Sequence, residues 1–189
     1  MLNNPEFIDL LKQQNEQAFT QLVEAYQHLV FNTVLGIVQQ NEEAEDVSQE
    51  VFIQVYQSIY GFRGDSKLST WIYRIAITKA LDWERKKKSK KKINAIKNII
   101  GIGAKEEETI TDFHHSGIAL QNKENASVLF KALKQIPDNQ RTAFVLIKTE
   151  ELSYQEVSAI MQTSVKAIEA LMHRAKENLR KILQDYYSE

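Results

Sequence analysis

The chain has 189 residues, with 24 basic and 25 acidic side chains and a formal net charge of −1. Hydrophobic residues at 43% and charged residues at 26% suit a globular protein and exclude wholesale disorder. Read as a whole, the near-zero charge also speaks against a nucleic-acid binder. Cysteine is absent, which excludes disulfides, thiolate metal sites and cysteine nucleophiles.

The periodicity is helical nearly throughout, with two prolines and six glycines as punctuation. The start, MLNNPEFIDLLKQQ, has no basic region leading into an apolar stretch and predicts no signal peptide. Asn4-Pro5 reads as a helix start. A long helix is expected after Asn15, with Ala18, Phe19, Leu22, Val23, Tyr26, Leu29 and Val30 on one stripe. Asn41 is the expected cap of the next helix, whose first turns hold Glu42, Glu43, Glu45 and Asp46, where the dipole favours anions. Ala44, Val47, Val51, Val55 and Ile59 alternate steps of three and four and predict its buried face. Its other side, with Gln49, Glu50, Gln54 and Gln57, is either a solvated face or a docking surface for basic helices of a partner. Spacing does not choose between them.

Gly61 and Gly64 break the pattern, and a further helix is expected from near Ser69 to Lys92, burying Ile72, Ile75, Ala76 and Trp83. Arg85, Lys86, Lys87, Lys88, Lys90, Lys91 and Lys92 place seven cations in eight positions. That is more than a helix dipole needs, and their mutual repulsion is costly unless phosphates relieve it. Upstream, Phe62-Arg63-Gly64-Asp65-Ser66 is a glycine-containing loop beside Trp71, Tyr73, Arg74, Thr78 and Lys79. Bendable backbone, aromatics and cations together suit the capture of an unstacked single-stranded base; Trp71 and Trp83 are nonetheless expected in the core.

Residues 93–125 lack sustained period and read as a linker, with a short helix inside it as the alternative. Beyond it, Val128, Leu129, Ala132, Leu133 and Ile136 form a stripe ended by Pro137, and a helix over 138–150 is expected to bury Ala143, Phe144 and Ile147. Ser153-Tyr154-Gln155-Glu156 is a capping box opening a short helix that ends by Gln162. Thr163-Ser164 caps a last helix from about Val165 to Leu183. A short capped helix, a tight turn and a longer capped helix are the pattern of a helix-turn-helix, though an ordinary surface helix has the same local signature. If the motif is real, Val165, Lys166, Ala167 and Glu169 face base edges while Arg174 and Lys176 reach phosphates.

Charge is segregated along this chain. Residues 1–60 sum to −8, 61–100 to +9, 101–125 to −3 and 126–189 to +1. A +9 segment attracts polyanions that the first sixty residues would repel, so two different partners are indicated. The four histidines (His28, His114, His115, His173) show no metal-ligand spacing, and no Walker-type phosphate loop occurs, so neither a cofactor nor a metal is expected. No apolar run is long enough to span a bilayer.

Read together, the segments resemble a sigma-70-family factor of the extracytoplasmic-function group. Residues 42–59, EEAEDVSQEVFIQVYQSI, are similar to that family's core-polymerase-binding region. Residues 62–83, FRGDSKLSTWIYRIAITKALDW, are similar to its minus-ten region. Residues 133–183, with LKQIPDNQRTAF, ELSYQEVSAIM and SVKAIEALMHRAKENLRKIL, are similar to its minus-thirty-five domain. The resemblance implies an all-α fold of two small domains, a region-2-like bundle at 1–92 and a region-4-like helix-turn-helix domain at 126–189, joined by a flexible linker. It implies that Asp46, Gln49 and Glu50 dock on the clamp helices of the polymerase's largest subunit. Phe62, Arg63, Gly64, Asp65, Ser66, Arg74, Thr78, Lys79, Arg85, Lys86 and Lys87 would engage the minus-ten strand. Arg141, Ser164, Lys166, Ala167, Glu169, Arg174 and Lys176 would engage the minus-thirty-five duplex. The implied function is promoter recognition and melting as a dissociable, non-enzymatic subunit of bacterial RNA polymerase. The chain would be cytoplasmic, monomeric when free and held by an anti-sigma partner.

The chain departs from the family's habit at three places: Thr78 where Asn is frequent, Gln162 where the turn usually has Gly, and Glu169-Ala170-Leu171 where basic and small polar residues are frequent. Two rivals remain. A stand-alone helix-turn-helix regulator leaves the acidic helix and the FRGDS loop unexplained. A protein-only adaptor does not need seven clustered cations.

Overall fold

The structure, a computed structural model, describes residues 4–99 and 128–187. Helix α1 spans Pro5–Lys12 and is entered as the sequence predicts, with Pro5 in its first turn and the Asn4 side chain accepting from Phe7 N at 2.9 Å. Helix α2 spans Glu16–Val38, and Asn15 Oδ1 accepts from Ala18 N at 2.9 Å. Helix α3 spans Asn41–Ser58 and passes into a 3-10 turn at Ile59–Gly61. Here the start differs by one residue: Gln40 is the extended flanking residue and Asn41 is already helical. The five apolar positions expected inward on this stretch, Ala44, Val47, Val51, Val55 and Ile59, are all buried. Helix α4 spans Leu68–Ile99, longer than the expected stop at Lys92.

Helices α2, α3 and α4 pack on one another around Leu22, Val30, Val34, Val51, Leu68 and Ile72, with α1 closing one end through Phe7, Ile8 and Leu11. Each such aliphatic side chain removed from water contributes about 1.5–3 kcal/mol before chain entropy is counted. This bundle is what makes α4 a rigid platform for whatever its outer face binds.

In the second half, residues 128–133 form helix α5. Helix α6 spans Asp138–Lys148, α7 spans Tyr154–Ile160, and α8 spans Val165–Tyr187. Leu133 and Ile136 pack against Ala175 and Leu179 of α8. Ala143, Leu146, Val157, Ile160, Ile168 and Met172 form a second cluster between α6, α7 and α8. No strand occurs among the described residues.

The two halves touch. Tyr73 belongs to the cluster of α6–α8, and Leu29 and Ile77 pack against it from α2 and α4. Gly36 lies inside α2 where α6 crosses, and a Cβ built there would sit 2.5 Å from Val145 Cγ1. The helical backbone does not require glycine at this point; the close approach of α6 does. The greater part of the expected linker, residues 100–125, and the pair His114-His115 lie outside the described residues.

Candidate nucleic-acid interface and docking face

Asp46, Gln49 and Glu50 are all exposed on α3, and the same face continues through Ile53, Tyr56 and Tyr60. These three large apolar side chains, at 57%, 36% and 56% exposure, were not part of the sequence expectation. The signal was present: positions 46, 49, 50, 53, 56 and 60 fall on one side at helical spacing, and only the acids and glutamines among them were read. Tyr56 is held by an edge-on contact with Phe19 of α2, ring centroids 5.0 Å apart. The face is therefore acidic at one end and aromatic at the other, an arrangement suited to a partner helix with both charge and apolar area.

The loop before α4 divides into packing and exposed residues. Phe62 is buried and stacks obliquely on Trp71, centroids 5.4 Å apart, so it anchors the loop. Arg63, Gly64 and Asp65 are exposed, Ser66 is half-buried, and Gly64 has a φ of 80° that favours glycine. Behind the loop, a cleft of about 520 Å³ is lined from α3 by Glu50 and Gln54 and from α4 by Trp71, Arg74, Lys79 and Lys86. Thr78 lines it too, its hydroxyl donating to the Arg74 carbonyl at 2.8 Å. Trp71 and Trp83 combine the two expectations, packing on the bundle with one side and lining the cleft with the other.

The cation run is less free than its sequence suggests. Arg85 pairs with Asp82 at 3.2 Å, within α4. Lys87 binds both Gln40 Oε1, at 2.6 Å, and the Glu43 carboxylate, so it ties α4 to the start of α3. Lys88 approaches Asp138 of α6 at 3.8 Å. Lys86 and Lys90 are exposed.

The second half forms a helix-turn-helix from capped pieces. Ser153 accepts from Glu156 N at 3.2 Å while Glu156 Oε2 accepts from Ser153 N at 3.0 Å, the reciprocal pair expected of the box. Those bonds hold the Glu156 carboxyl below its usual range. Gln162 makes the turn with a φ of 52°, so the left-handed residue is kept although glycine is not. Ser164 Oγ accepts from Ala167 N at 3.2 Å and opens α8. Lys166, Glu169, Arg174 and Lys176 stand exposed along α8, with Ala167 half-buried. Arg141 does not join them: its side chain is wholly buried, with Nη2 donating to Asp138 at 3.0 Å.

Two bonds cross between the halves at the cleft's edge. Arg74 donates from Nη2 to the Ala159 carbonyl at 2.7 Å and from Nε to the Ile160 carbonyl at 3.3 Å, on the last turn of α7. Tyr73 donates to Glu150 Oε2 at 3.3 Å. Burial raises the Glu150 carboxyl from 4.5 to about 7, against the lowering effect of the Tyr73 bond. Burial, then the neighbouring Glu150 and Glu156 charges, raise the Tyr73 phenol.

A helical bundle with an acidic docking face, a cationic cleft and a helix-turn-helix behind it is the arrangement of a DNA-reading subunit. The family profile for Sigma-70 region 2 matches residues 22–90, and that for Sigma-70 region 4 matches residues 128–179. The ECF RNA polymerase sigma factor SigW of Bacillus subtilis is 31% identical, over 94% of this chain and 95% of its own. RNA polymerase sigma-H factor of Pseudomonas aeruginosa is 29% identical, over 95% of this chain and 93% of its own. Among solved structures, CnrH in complex with the cytosolic domain of CnrY superposes with a TM-score of 0.68 at 19% identity, covering 97% of this chain and 98% of that one. RpoE of Bartonella quintana, in complex with the anti-sigma factor NepR, gives 0.62 at 21% identity, covering 88% and 96%. The chain belongs to the sigma-70 family, in its extracytoplasmic-function group, and is a sigma subunit of RNA polymerase. No helix among the described residues is long and apolar enough to cross a membrane.

Proposed function

We propose that the exposed face of α3, from Asp46 through Gln49 and Glu50 to Ile53 and Tyr60, docks on the clamp helices of the polymerase's largest subunit. The cleft beside it takes the non-template strand of the minus-ten element. The observation that carries this reading is the adjacency of the two: Glu50 and Gln54 share one cleft with Trp71, Arg74, Lys79 and Lys86. A strand drawn into that cleft lies against the docking face, so polymerase binding and strand capture are coupled by geometry. Arg63, Gly64, Asp65 and Ser66 form the cleft's mobile-backbone rim, Trp71 offers a stacking surface, and Arg74, Lys79 and Lys86 neutralise phosphates. Melting follows from stabilising an extruded base and the separated strand rather than from any bond-breaking step, so the chain is not an enzyme by itself.

The division into 1–92, a linker at 93–125 and 126–189 assigns α8 to the minus-thirty-five duplex. Its Lys166, Ala167 and Glu169 face base edges, with Arg174 and Lys176 on phosphates. The chain acts in the cytoplasm, where the polymerase is, and is held by an anti-sigma partner, the kind of partner named with the Bartonella structure. Permanganate footprinting on promoter DNA tests the reading. A melted bubble that requires both core enzyme and this chain is expected, and a chain that binds duplex tightly but opens none in the presence of core would overturn it. Replacing Asp46 and Glu50 by Ala together should weaken core affinity roughly tenfold, read by competition against the wild-type chain.

A further inference from the structure

Arg74 has the geometry of a strand-binding residue, yet in the free chain its guanidinium is occupied by the carbonyls of Ala159 and Ile160. Those carbonyls end α7, where the helix dipole is negative and the last acceptors lack helical donors, so the site mimics an anion. The turn after α7 reaches the same place, with Gln162 closing the cleft opposite Thr78 and Lys79. By contrast Lys166, Glu169, Arg174 and Lys176 on α8 remain exposed. Resting on the function proposed above, we infer that the free chain is masked on one side only: its own helix α7 occupies the minus-ten cleft while the duplex-reading helix α8 stays open.

The contact that sets this closed state is made outside both DNA surfaces. Gly36 lets α6 approach α2, with Val145 in the space a side chain would fill. The Tyr73–Glu150 bond seals the neighbouring seam. Nothing covalent holds it, and several polar atoms at the seam lack partners, among them Glu150 Oε1 and Arg141 Nε and Nη1. A buried polar atom without a partner weakens the closed form against an open, hydrated one. The clasp is thus of the kind that a competing surface, such as the polymerase, can open.

The absence of cysteine permits a clean test. Gln27→Cys on α2 and Lys181→Cys on α8, both exposed, carry a fluorescent pair in the full chain. Gly36→Leu is the wedge: leucine favours the helix that glycine disfavours, while its side chain cannot fit against Val145. The wild type should show high transfer and the wedge low transfer with unchanged helical circular dichroism. Affinity for a single-stranded oligonucleotide pool of mixed sequence should rise about tenfold or more on opening. Affinity for a mixed-sequence duplex should change less than about twofold. The milder pair Gly36→Ala with Val145→Ala should close again, and Glu150→Lys opens the seam from the other side if the leucine variant does not fold. Low transfer in the wild type, or opening with no gain in single-strand affinity, overturns the inference. Promoter melting by wild-type holoenzyme, run alongside, reports separately on the function itself: melting with no masking sinks the inference alone.

Discussion

Gln162 holds the turn between α7 and α8 at a φ of 52°, a conformation glycine adopts without the cost a Cβ imposes. Gln162→Gly is therefore expected to stabilise the second half by about 0.5–1 kcal/mol, seen as a rise in Tm. Ser153→Ala removes the acceptor for Glu156 N and should cost about 1 kcal/mol in the same measurement. Glu150 sets a pH dependence. Its closed-form carboxyl titrates near 7, above the 4.5 of an exposed glutamate, so the closed form binds the proton more tightly. Closure is strongest below pH 7 and weakens as pH rises through it, by about tenfold between pH 6 and 8. The groups facing this carboxyl do not reverse the sign: Tyr73 donates to it, Glu156 is held by Ser153 and Lys67, and Arg74 is engaged by α7 carbonyls. Energy transfer between the labelled halves at pH 6 and 8 checks this, and Glu150→Gln should flatten the profile.

At the scale of elements, the sequence was most legible where a helix buries one stripe. Ala44, Val47, Val51, Val55 and Ile59 all lie inward because a helix on a bundle has no other way to remove them from water. Helix ends were harder to see. Positive-φ residues at Gln14, Gln39, Glu151 and Gln162 stand where glycine usually marks a stop, so α1, α2, α6 and α7 end without the expected signal. The cation run was legible as charge but not as pairing. Whether Lys86 or Lys87 faces outward depends on where Glu43 sits across the bundle, which spacing along one helix does not contain. The two lysines should accordingly behave differently. Lys87→Gln is expected to lower stability by about 1–2 kcal/mol through loss of the charged bonds to α3. Lys86→Gln should leave Tm in place and reduce the salt slope of strand binding by about 0.7.

The molecule as a whole was the least legible level, because the seam between its halves is built from residues separated by some seventy to eighty-six positions, such as Tyr73 with Glu150 and Arg74 with Ile160. Tyr73, Leu29 and Ile77 read as the outside of one bundle and serve as the lining of another. Arg141 shows the same effect: as a sequence it is a basic residue before a helix-turn-helix, and in the fold it is sealed inside beside Asp138. Leu146→Ala, in the cluster that Tyr73 completes, should cost about 2–5 kcal/mol on global unfolding. The glycine at 36 belongs to this level too, and it has a genetic consequence. Substitutions at most buried positions reduce the amount of folded protein and would be recessive losses. At position 36 a helix-favouring residue keeps the bundle and loosens only the clasp, so a screen for dominant, unprompted expression of the regulon should return to that codon.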